Sequence, residues 1–283
     1  MAAKTDWNGF AVAPGVEIGT GQAFVLFAGP CSIESKENTL RIAQELKSIT
    51  SDMGVPFVFK ASYDKANRTS ISGYRGLGFK AGLDVLGEVK ATLDLPILTD
   101  VHEVNQIEEV AKVADVIQIP AFLCRQTDLL IAAGECGRPV KIKKGQFMAP
   151  QDMYHAVEKV RSTGNDNVIL TERGASFGYN NLTVDMRSLP IMRQYAPVVF
   201  DATHSVQLPG GMGGSSGGQA EFVAYLARAA AAVGVDGFFM ETHFDPSLSK
   251  SDGPNMVPLS HMPHLLNQLI SIHKLGYTGG LND

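Results

Sequence analysis

The stretch VVFDATH, residues 198–204, places a short apolar run directly before Asp201 and His204, two residues that can take part in chemistry. A short apolar run that stops at a polar residue is typical of a buried strand in a parallel sheet. The same pattern occurs eight times, in runs that start near Phe24, Phe57, Ile97, Val116, Val140, Val168, Val198 and Val235. An active site built on strand ends is therefore expected.

The segments between these runs have room for helices. Several carry apolar residues at three- and four-residue intervals, as in Leu40, Ile42, Ala43, Leu46 and Ile49. Eight strand and helix units predict a (β/α)8 barrel, the TIM barrel, which typically takes about 250 residues. We therefore expect residues 1–283 to form a single α/β barrel domain.

Two segments lie outside this repeat. Residues 1–22 precede the first unit and are expected to form a β-hairpin, with a turn at Pro14 and Gly15, that caps the bottom of the barrel. Residues 209–219, PGGMGGSSGGQ, form a glycine-rich loop that is either a lid over the substrate or a flexible surface loop. The loop lacks the Gly-Lys-Ser/Thr ending of a phosphate-binding P-loop.

The composition excludes several classes of protein. A net charge of -5 argues against general affinity for nucleic acid or anionic membranes. No apolar stretch approaches the roughly 18 residues of a membrane span, and the start MAAKTDWNGF lacks the apolar core of a secretory signal, so a cytoplasmic location is expected. Cys31, Cys124 and Cys136 are expected to be reduced. No glycine fingerprint follows a strand, so no nucleotide or organic cofactor is predicted.

One side of the predicted barrel mouth carries metal-ligand types. The last strand of a closed barrel pairs with the first, so the loops after strands seven, eight and one are neighbours. They carry His204, Glu241, Asp252 and Cys31, which together suit zinc, manganese(II), iron(II) or cobalt(II). The alternatives are a buried apolar cysteine, a histidine bonded to a carbonyl and an aspartate that organises the SDGPN turn. His243 is the substitute ligand.

The other side of the mouth carries cations at or just beyond strand ends. Guanidinium and ammonium groups suit phosphate and carboxylate, and their number indicates a substrate with more than one phosphate. These cations are Lys60, Lys65, Arg68, Arg125, Lys141, Lys143, Lys144 and Arg173. Further polar residues either move protons or merely orient the cations, namely Asp100, His102, Glu172 and Asp201.

Eight segments together closely resemble the 3-deoxy-D-manno-octulosonate 8-phosphate synthases, through essentially the whole barrel. The segments are AGPCSIES at 28–35, FKASYDKANRTS at 59–70, TDVHE at 99–103, QIPAFLCRQTD at 118–128, KIKKGQF at 141–147, LTERGASFGYNNL at 170–182, DATHSVQLPG at 201–210 and METHFDP at 240–246. The resemblance implies condensation of phosphoenolpyruvate with arabinose 5-phosphate and water, which supplies a lipopolysaccharide precursor.

The resemblance also implies roles for individual residues. For phosphoenolpyruvate it implies contacts from Lys65, Gln118, the Ala121 backbone, Lys143 and Arg173. For the sugar phosphate it implies contacts from Asn67, Arg68 and Thr69, with Arg125 from a neighbouring subunit of a homotetramer, and it adds Gln207 as a further substrate contact. It makes Lys60 a general acid near the reacting carbons and adds Asp100, His204 and Asp252 as catalytic residues.

Cysteine at position 31 is typical of the metal-dependent members, whereas the others have asparagine there. The SDGPN segment, residues 251–255, mixes the serine of metal-dependent members with the Gly-Pro of the others, which leaves the strictness of the requirement open. The rival family, the 3-deoxy-D-arabino-heptulosonate 7-phosphate synthases, uses erythrose 4-phosphate. It would normally show Lys-Pro-Arg-Thr in place of residues 65–69. A noncatalytic phosphosugar-binding barrel is the remote alternative.

Overall fold

The structure is a computed structural model that describes residues 9–210 and 217–275. Its strands, in chain order, are β1 (Phe10–Ala13), β2 (Val16–Ile18), β3 (Val25–Gly29), β4 (Phe57–Lys60), β5 (Ile97–Asp100), β6 (Val116–Ile119), β7 (Val140–Lys143), β8 (Val168–Glu172), β9 (Ala175–Ser176), β10 (Leu182–Thr183), β11 (Val198–Asp201), β12 (Gln207–Leu208), β13 (Gly217–Gly218), β14 (Gly237–His243) and β15 (Val257–Pro258). Its helices are α1 (Lys36–Met53), α2 (Phe79–Leu93), α3 (Ile107–Val113), α4 (Thr127–Glu135), α5 (Met153–Arg161), α6 (Ser188–Met192), α7 (Val223–Val233) and α8 (Met262–His273).

Eight parallel strands close into a barrel. Strands β3 to β8 pair in chain order, β8 pairs with β11, and β14 pairs with both β11 and β3. Each barrel strand begins at or within two residues of the position that the apolar runs predict. The TIM barrel prediction is confirmed, and the pairing of β14 with β3 makes the loops after β11, β14 and β3 neighbours.

Helix α1 shows how a helix of the outer layer forms. The Ser35 side chain accepts a hydrogen bond from the backbone N–H of Asn38, which caps the first turn. The helix buries Ile42, Ala43 and Leu46 against the barrel and ends at Gly54, whose φ of 64° favours glycine. The three- and four-residue spacing therefore predicted the buried face of this helix correctly.

The N-terminal hairpin closes one end of the barrel. Strands β1 and β2 are antiparallel, and Val12, Ala13, Val16 and Ile18 are buried in one apolar cluster with residues from the first half of the barrel strands. The strand members of the cluster are Val25, Phe27, Val58, Leu98, Val116, Ile169, Val199 and Phe239. The predicted cap at the bottom of the barrel is confirmed.

The glycine-rich loop starts and finishes at the mouth, the end of the barrel opposite the hairpin. Gln207 and Leu208 pair with Gly218 and Gly217, so the chain leaves the mouth and returns to it. Residues 211–216 lie outside the described residues, and the lid remains a prediction. All three cysteines are free, and no helix in the described ranges has the length and hydropathy to span a membrane.

Candidate functional site

The last residue of a barrel strand is a charged residue in five cases. These residues are Lys60, Asp100, Lys143, Glu172 and Asp201, and all five are buried. The carboxyl ends of the strands therefore bring opposite charges together at the mouth, where a charge is tolerated only beside a partner. The points at which these strands end therefore position the five charged side chains at the mouth.

A group of metal-ligand types lies at the junction of β3, β14 and the loop after β14. Donor atoms of Cys31, Glu241 and Asp252 all lie within 4.8 Å of one another. The Cys31 Sγ is 3.3 Å from Asp252 Oδ2. Asp252 has a φ of 53°, in the left-handed region where aspartate and asparagine are the more frequent residues besides glycine. The loop thus holds one carboxylate against the cysteine through a local turn of the backbone.

His204 lies beside this group but is not one of its three members. Its Nε2 is 3.6 Å from Glu241 Oε1 and 3.8 Å from Asp252 Oδ2. Its Nδ1 is 2.9 Å from Asp201 Oδ2. A carboxylate that holds one ring nitrogen while the other faces the ligands is the usual support of a metal-binding histidine.

The spacing of these donors fits a small divalent ion. Ligand atoms about 2.0–2.3 Å from such an ion are roughly 3.3–3.8 Å apart around a tetrahedron. The Cys31–Asp252 separation and the two separations of His204 from the carboxylates fall in that range, whereas the three-residue group as a whole lies within 4.8 Å. Glu241 Oε2 is buried with no hydrogen-bond partner in the described part of the chain. A buried carboxylate oxygen without a partner is costly unless a cation binds it. The residues therefore fit the predicted metal.

Two neighbours hold Cys31 in place. A Cβ at Gly29 would lie 2.0 Å from the Lys60 carbonyl oxygen, so only glycine allows the chain this close to β4 just before the cysteine. The Ser251 hydroxyl is 2.8 Å from Cys31 Sγ. Burial, together with the Asp252 and Glu241 carboxylates, raises the pKa of the thiol. This carboxylate-rich environment does not suit a free nucleophile.

Lys60 is at the centre of a buried network. Its Nζ donates to the Cys31 carbonyl at 3.1 Å and to Ser62 Oγ at 3.0 Å, and lies 3.4 Å from Glu241 Oε1. Ser62 donates to Asp100 at 2.5 Å, and Asp100 is 3.1 Å from His102 Nε2. Burial and the nearby Lys65 ammonium lower the pKa of Lys60.

Sequence reasoning missed Ser62. Its position two residues after Lys60 was the available signal, because side chains two residues apart along a strand share a face.

The cationic side of the mouth is also hydrogen-bonded. Lys143 Nζ donates to Asp201 at 2.6 Å, and Arg173 donates to Gln207 at 2.9 Å. The Nη1 of Arg173 is buried, with no partner among residues 9–210 and 217–275. Burial opposes the charge of Asp201, but His204 and Lys143 outweigh it and hold its pKa well below the usual range. One donor of Arg173 is thus left for a ligand.

Gln118 and two further lysines, Lys141 and Lys144, are buried beside the cationic side of the mouth. Lys141 donates to Gln118 Oε1 at 3.2 Å from a fully buried position. Lys144 lies 3.4 Å from Glu172 Oε1, whereas the same oxygen accepts hydrogen bonds from the backbone of Arg173 and Gly174. Lys141 therefore holds the Gln118 oxygen, and Glu172 Oε1 holds the backbone of residues 173 and 174, while Glu172 Oε2 is buried with no partner in the described ranges.

The remaining predicted residues are on loops. Ala121 begins the short helical turn Ala121–Leu123, and Asn67 and Thr69 are exposed. Arg125 is exposed and lines a cavity of about 320 Å³ with Cys124, Met148, Asp152, His155, Ala156 and Lys159. None of the contacts described for Arg125 reaches the metal-ligand group.

His243 has contacts unlike those of the ligand group. Its Nδ1 is 2.6 Å from the Asp245 carbonyl oxygen, and its ring packs 4.1 Å from the Phe244 ring. With Pro30, Ser32 and residues of α1 it lines a small internal space. His243 is therefore not a member of the group formed by Cys31, Glu241 and Asp252, and its Nε2 is buried with no hydrogen-bond partner among the described residues.

Comparison with known proteins gives one consistent result. A family model described as the DAHP synthetase I family matches residues 3–275. A 2-dehydro-3-deoxyphosphooctonate aldolase of Trichlorobacter lovleyi is 60% identical over 255 residues, which cover 90% of this chain and 94% of that protein. Aldolases of the same name from Geotalea daltonii and Desulfatibacillum aliphaticivorans are 60% and 56% identical, over 91% and 94% of this chain and 95% and 98% of their own lengths.

Proposed function

This chain belongs to the DAHP synthetase I family, and we propose that its barrel mouth condenses phosphoenolpyruvate with arabinose 5-phosphate and water. The activity is that of a 3-deoxy-D-manno-octulosonate 8-phosphate synthase. Its relatives bear another name of this enzyme, 2-dehydro-3-deoxyphosphooctonate aldolase. The relatives confirm the resemblance to the octulosonate synthases, whereas the metal-dependent type is supported only by the group of Cys31, Glu241 and Asp252. The rival heptulosonate synthase shares the family model, but the relatives at 56–60% identity carry the octulosonate name.

One observation supports the proposed active site: buried cations and a metal-ligand group lie together in the barrel mouth. Lys143 and Lys65 face the carboxylates of Asp201 and Glu241, and Arg173 donates to the amide oxygen of Gln207. Cations held in this way suit the phosphate and carboxylate of phosphoenolpyruvate. The Gln118 side-chain oxygen accepts a hydrogen bond from Lys141, so the Gln118 amide nitrogen is free to donate to the same anion. Each of these residues was predicted from the sequence.

The chemistry needs a proton donor beside the new bond. C3 of the enol attacks the aldehyde carbon of the sugar, and the aldehyde oxygen becomes an alkoxide that takes up a proton. C2 becomes positively charged and takes up water, which loses a proton; the C2–O bond to phosphate then breaks, and C2 is left as a ketone. Lys60 is the proposed general acid, since burial lowers its pKa and brings it closer to neutrality than that of a free lysine. The Ser62 hydroxyl accepts a hydrogen bond from its ammonium group and donates one to Asp100.

The proposed metal ligands are Cys31, His204, Glu241 and Asp252. When bound, the ion would orient the aldehyde or the water and lower the water's pKa. Zinc, manganese(II), iron(II) and cobalt(II) all suit this mixture of sulfur, nitrogen and oxygen donors. Asp201 keeps the His204 ring turned so that Nε2 faces the two carboxylates.

The sugar phosphate is placed on the loop after β4, where Asn67, Arg68 and Thr69 lie at the edge of the mouth. Arg125 is on the outside of the barrel, in the cavity described above. We therefore place its contact with substrate in a neighbouring subunit of a homotetramer. Measurement of the molecular mass in solution, by light scattering with and without Arg125→Ala, tests the assembly separately from its contribution to activity.

The first experiment is phosphate release from phosphoenolpyruvate with arabinose 5-phosphate, and with erythrose 4-phosphate in parallel. We expect turnover with the five-carbon sugar, loss on chelation and recovery with manganese(II) or zinc. Turnover of erythrose 4-phosphate alone would assign the rival reaction, and binding without product would indicate a noncatalytic barrel. Activity that persists after verified metal removal would contradict the catalytic metal while leaving the synthase intact.

A further inference from the structure

Two cations of the loop after β4 lie against the carboxylates of the metal-ligand group. Lys65 Nζ is 3.8 Å from Glu241 Oε1, and Arg68 Nη1 is 3.8 Å from Asp252 Oδ1. Both cations are assigned above to substrate anions. These side chains therefore contact the metal ligands themselves.

Arg68 makes the more extensive contact. Its Nε donates to the Tyr74 carbonyl at 3.0 Å, and its Nη2 donates to the Ser251 hydroxyl. The same hydroxyl is 2.8 Å from Cys31 Sγ. One guanidinium thus touches Asp252 directly and Cys31 through Ser251, which lies next to Asp252 in the chain.

We propose that Arg68 is a positioning residue that couples binding of the sugar phosphate to binding of the metal, through Asp252 and Ser251. The inference rests on the proposed function, because it assigns the Arg68 guanidinium to the phosphate of arabinose 5-phosphate. In the absence of sugar phosphate, Arg68 pairs with a ligand carboxylate and weakens metal binding. When the phosphate binds, it neutralises or withdraws that positive charge.

The physical basis is repulsion between like charges in a site with little water. Asp252 Oδ1 faces Arg68 and the Gln207 amide, whereas Oδ2 faces Cys31 and His204. A divalent ion at Oδ2 therefore shares its carboxylate with a guanidinium on the other oxygen. Because the site is largely buried, this repulsion is screened less than it would be in water. Because such coupling is reciprocal, the metal must tighten the sugar phosphate by the factor by which the sugar phosphate tightens the metal.

The test measures Zn²⁺ affinity by competition with a chromophoric chelator, in the full chain without substrates. We expect Arg68→Met to bind Zn²⁺ about five- to tenfold more tightly than the unmodified chain, as is usual for coupled sites. Arg68→Lys keeps the charge and should stay within about twofold. Arg75→Met is the matched control, since Arg75 is on the same loop but pairs with Asp64 and is largely exposed. It should leave the affinity unchanged.

Addition of arabinose 5-phosphate provides a second measurement that needs no variant. It should tighten Zn²⁺ binding by the unmodified chain about five- to tenfold, and saturating Zn²⁺ should tighten the sugar phosphate equally in calorimetry. Equal or weaker Zn²⁺ binding by Arg68→Met would overturn the inference, as would unequal coupling factors. Phosphate release by the unmodified chain separates the two hypotheses: turnover with no effect of Arg68→Met rejects the coupling alone, whereas absent turnover rejects the proposed function.

Discussion

The two ends of the barrel are built from the same eight strands but are filled by opposite chemistry. At the amino ends of the strands, Val25, Val58 and Val199 pack against Ile18 of the hairpin in a wholly apolar cluster. At the carboxyl ends, Lys60 and Asp201 are equally buried among charges. The first end contributes to stability by removing apolar surface from water, whereas the second buries charges at a cost that only binding or catalysis explains.

The boundary between the two ends is formed by two aromatic residues of the apolar cluster, Phe27, which has the Lys141 ammonium 5.5 Å from its ring centroid, and Phe239. The Phe239 ring belongs to the apolar cluster, and three ammonium groups lie over it: Lys143 at 3.9 Å, Lys141 at 4.7 Å and Lys60 at 5.4 Å from its centroid. Cations are attracted to an aromatic face, which helps to offset their desolvation. The change from apolar to ionic therefore takes place within one layer of side chains, and the two ends should be separable by mutation.

The largest effect is expected at the ionic end. Lys60→Met removes the proposed general acid and should lower kcat about 10³-fold. The melting temperature should also fall, because the substitution leaves the buried Glu241 carboxylate with one cation fewer. Phosphate release and thermal unfolding measure the two effects. Lys80→Met, at a position whose side chain is 90% exposed, is the control and should alter neither. A marked fall in melting temperature with kcat retained would contradict the division between the ends.

The opposite result is expected at the apolar end. Ile18→Ala leaves a cavity under the barrel and should lower the free energy of unfolding by about 2–4 kcal/mol, with kcat unchanged. Denaturant unfolding gives the first quantity and phosphate release the second. Glu17→Ala, on the exposed side of the same hairpin, should be nearly neutral. If Ile18→Ala reduced kcat in the folded enzyme, the two ends would not be independent.

A smaller effect is expected from the support of His204. Asp201→Asn keeps the size of the side chain but removes the charge that holds Lys143 and His204. Loss of such support typically costs about 10- to 100-fold in metal affinity or activity. Zn²⁺ competition measures it directly, with Asp185→Asn as the control, since the Asp185 carboxylate is exposed beside Arg187. Unchanged Zn²⁺ affinity would argue against His204 as a ligand.

The smallest effect is a shift in pH dependence. Lys60 acts as an acid only while protonated, so kcat should fall as pH rises through its pKa. Burial, with the charge of Lys65, lowers that pKa from the ordinary value of 10.5, whereas the carboxylates of Glu241 and Asp100 raise it. Asp100→Asn should therefore move the alkaline limb of the kcat profile to lower pH, by about one unit or less. If the alkaline limb does not move, it reports the deprotonation of a group other than Lys60.

Local pattern was enough for most of the barrel. Eight apolar runs and the spacing of the α1 residues predicted the strands and helices, because burial imposes a periodicity on each element by itself. The chemistry-bearing residues at strand ends followed from the same pattern, as with Lys60 and Asp201. The assignment to one synthase family also came from ordered motifs and was confirmed by the relatives.

Contacts between distant loops could not be read in this way. The approach of Ser251 to Cys31 joins residues 220 positions apart, and that of Arg68 to Ser251 joins residues 183 apart. The αL conformation of Asp252 and the inward turn of Arg68 depend on what surrounds them, not on their neighbours in the chain. Residue type and spacing thus predicted which groups meet at the mouth. Closure of the barrel determined which charged side chains contact each other, because each ion pair depends on a distance between loops that only their packing defines.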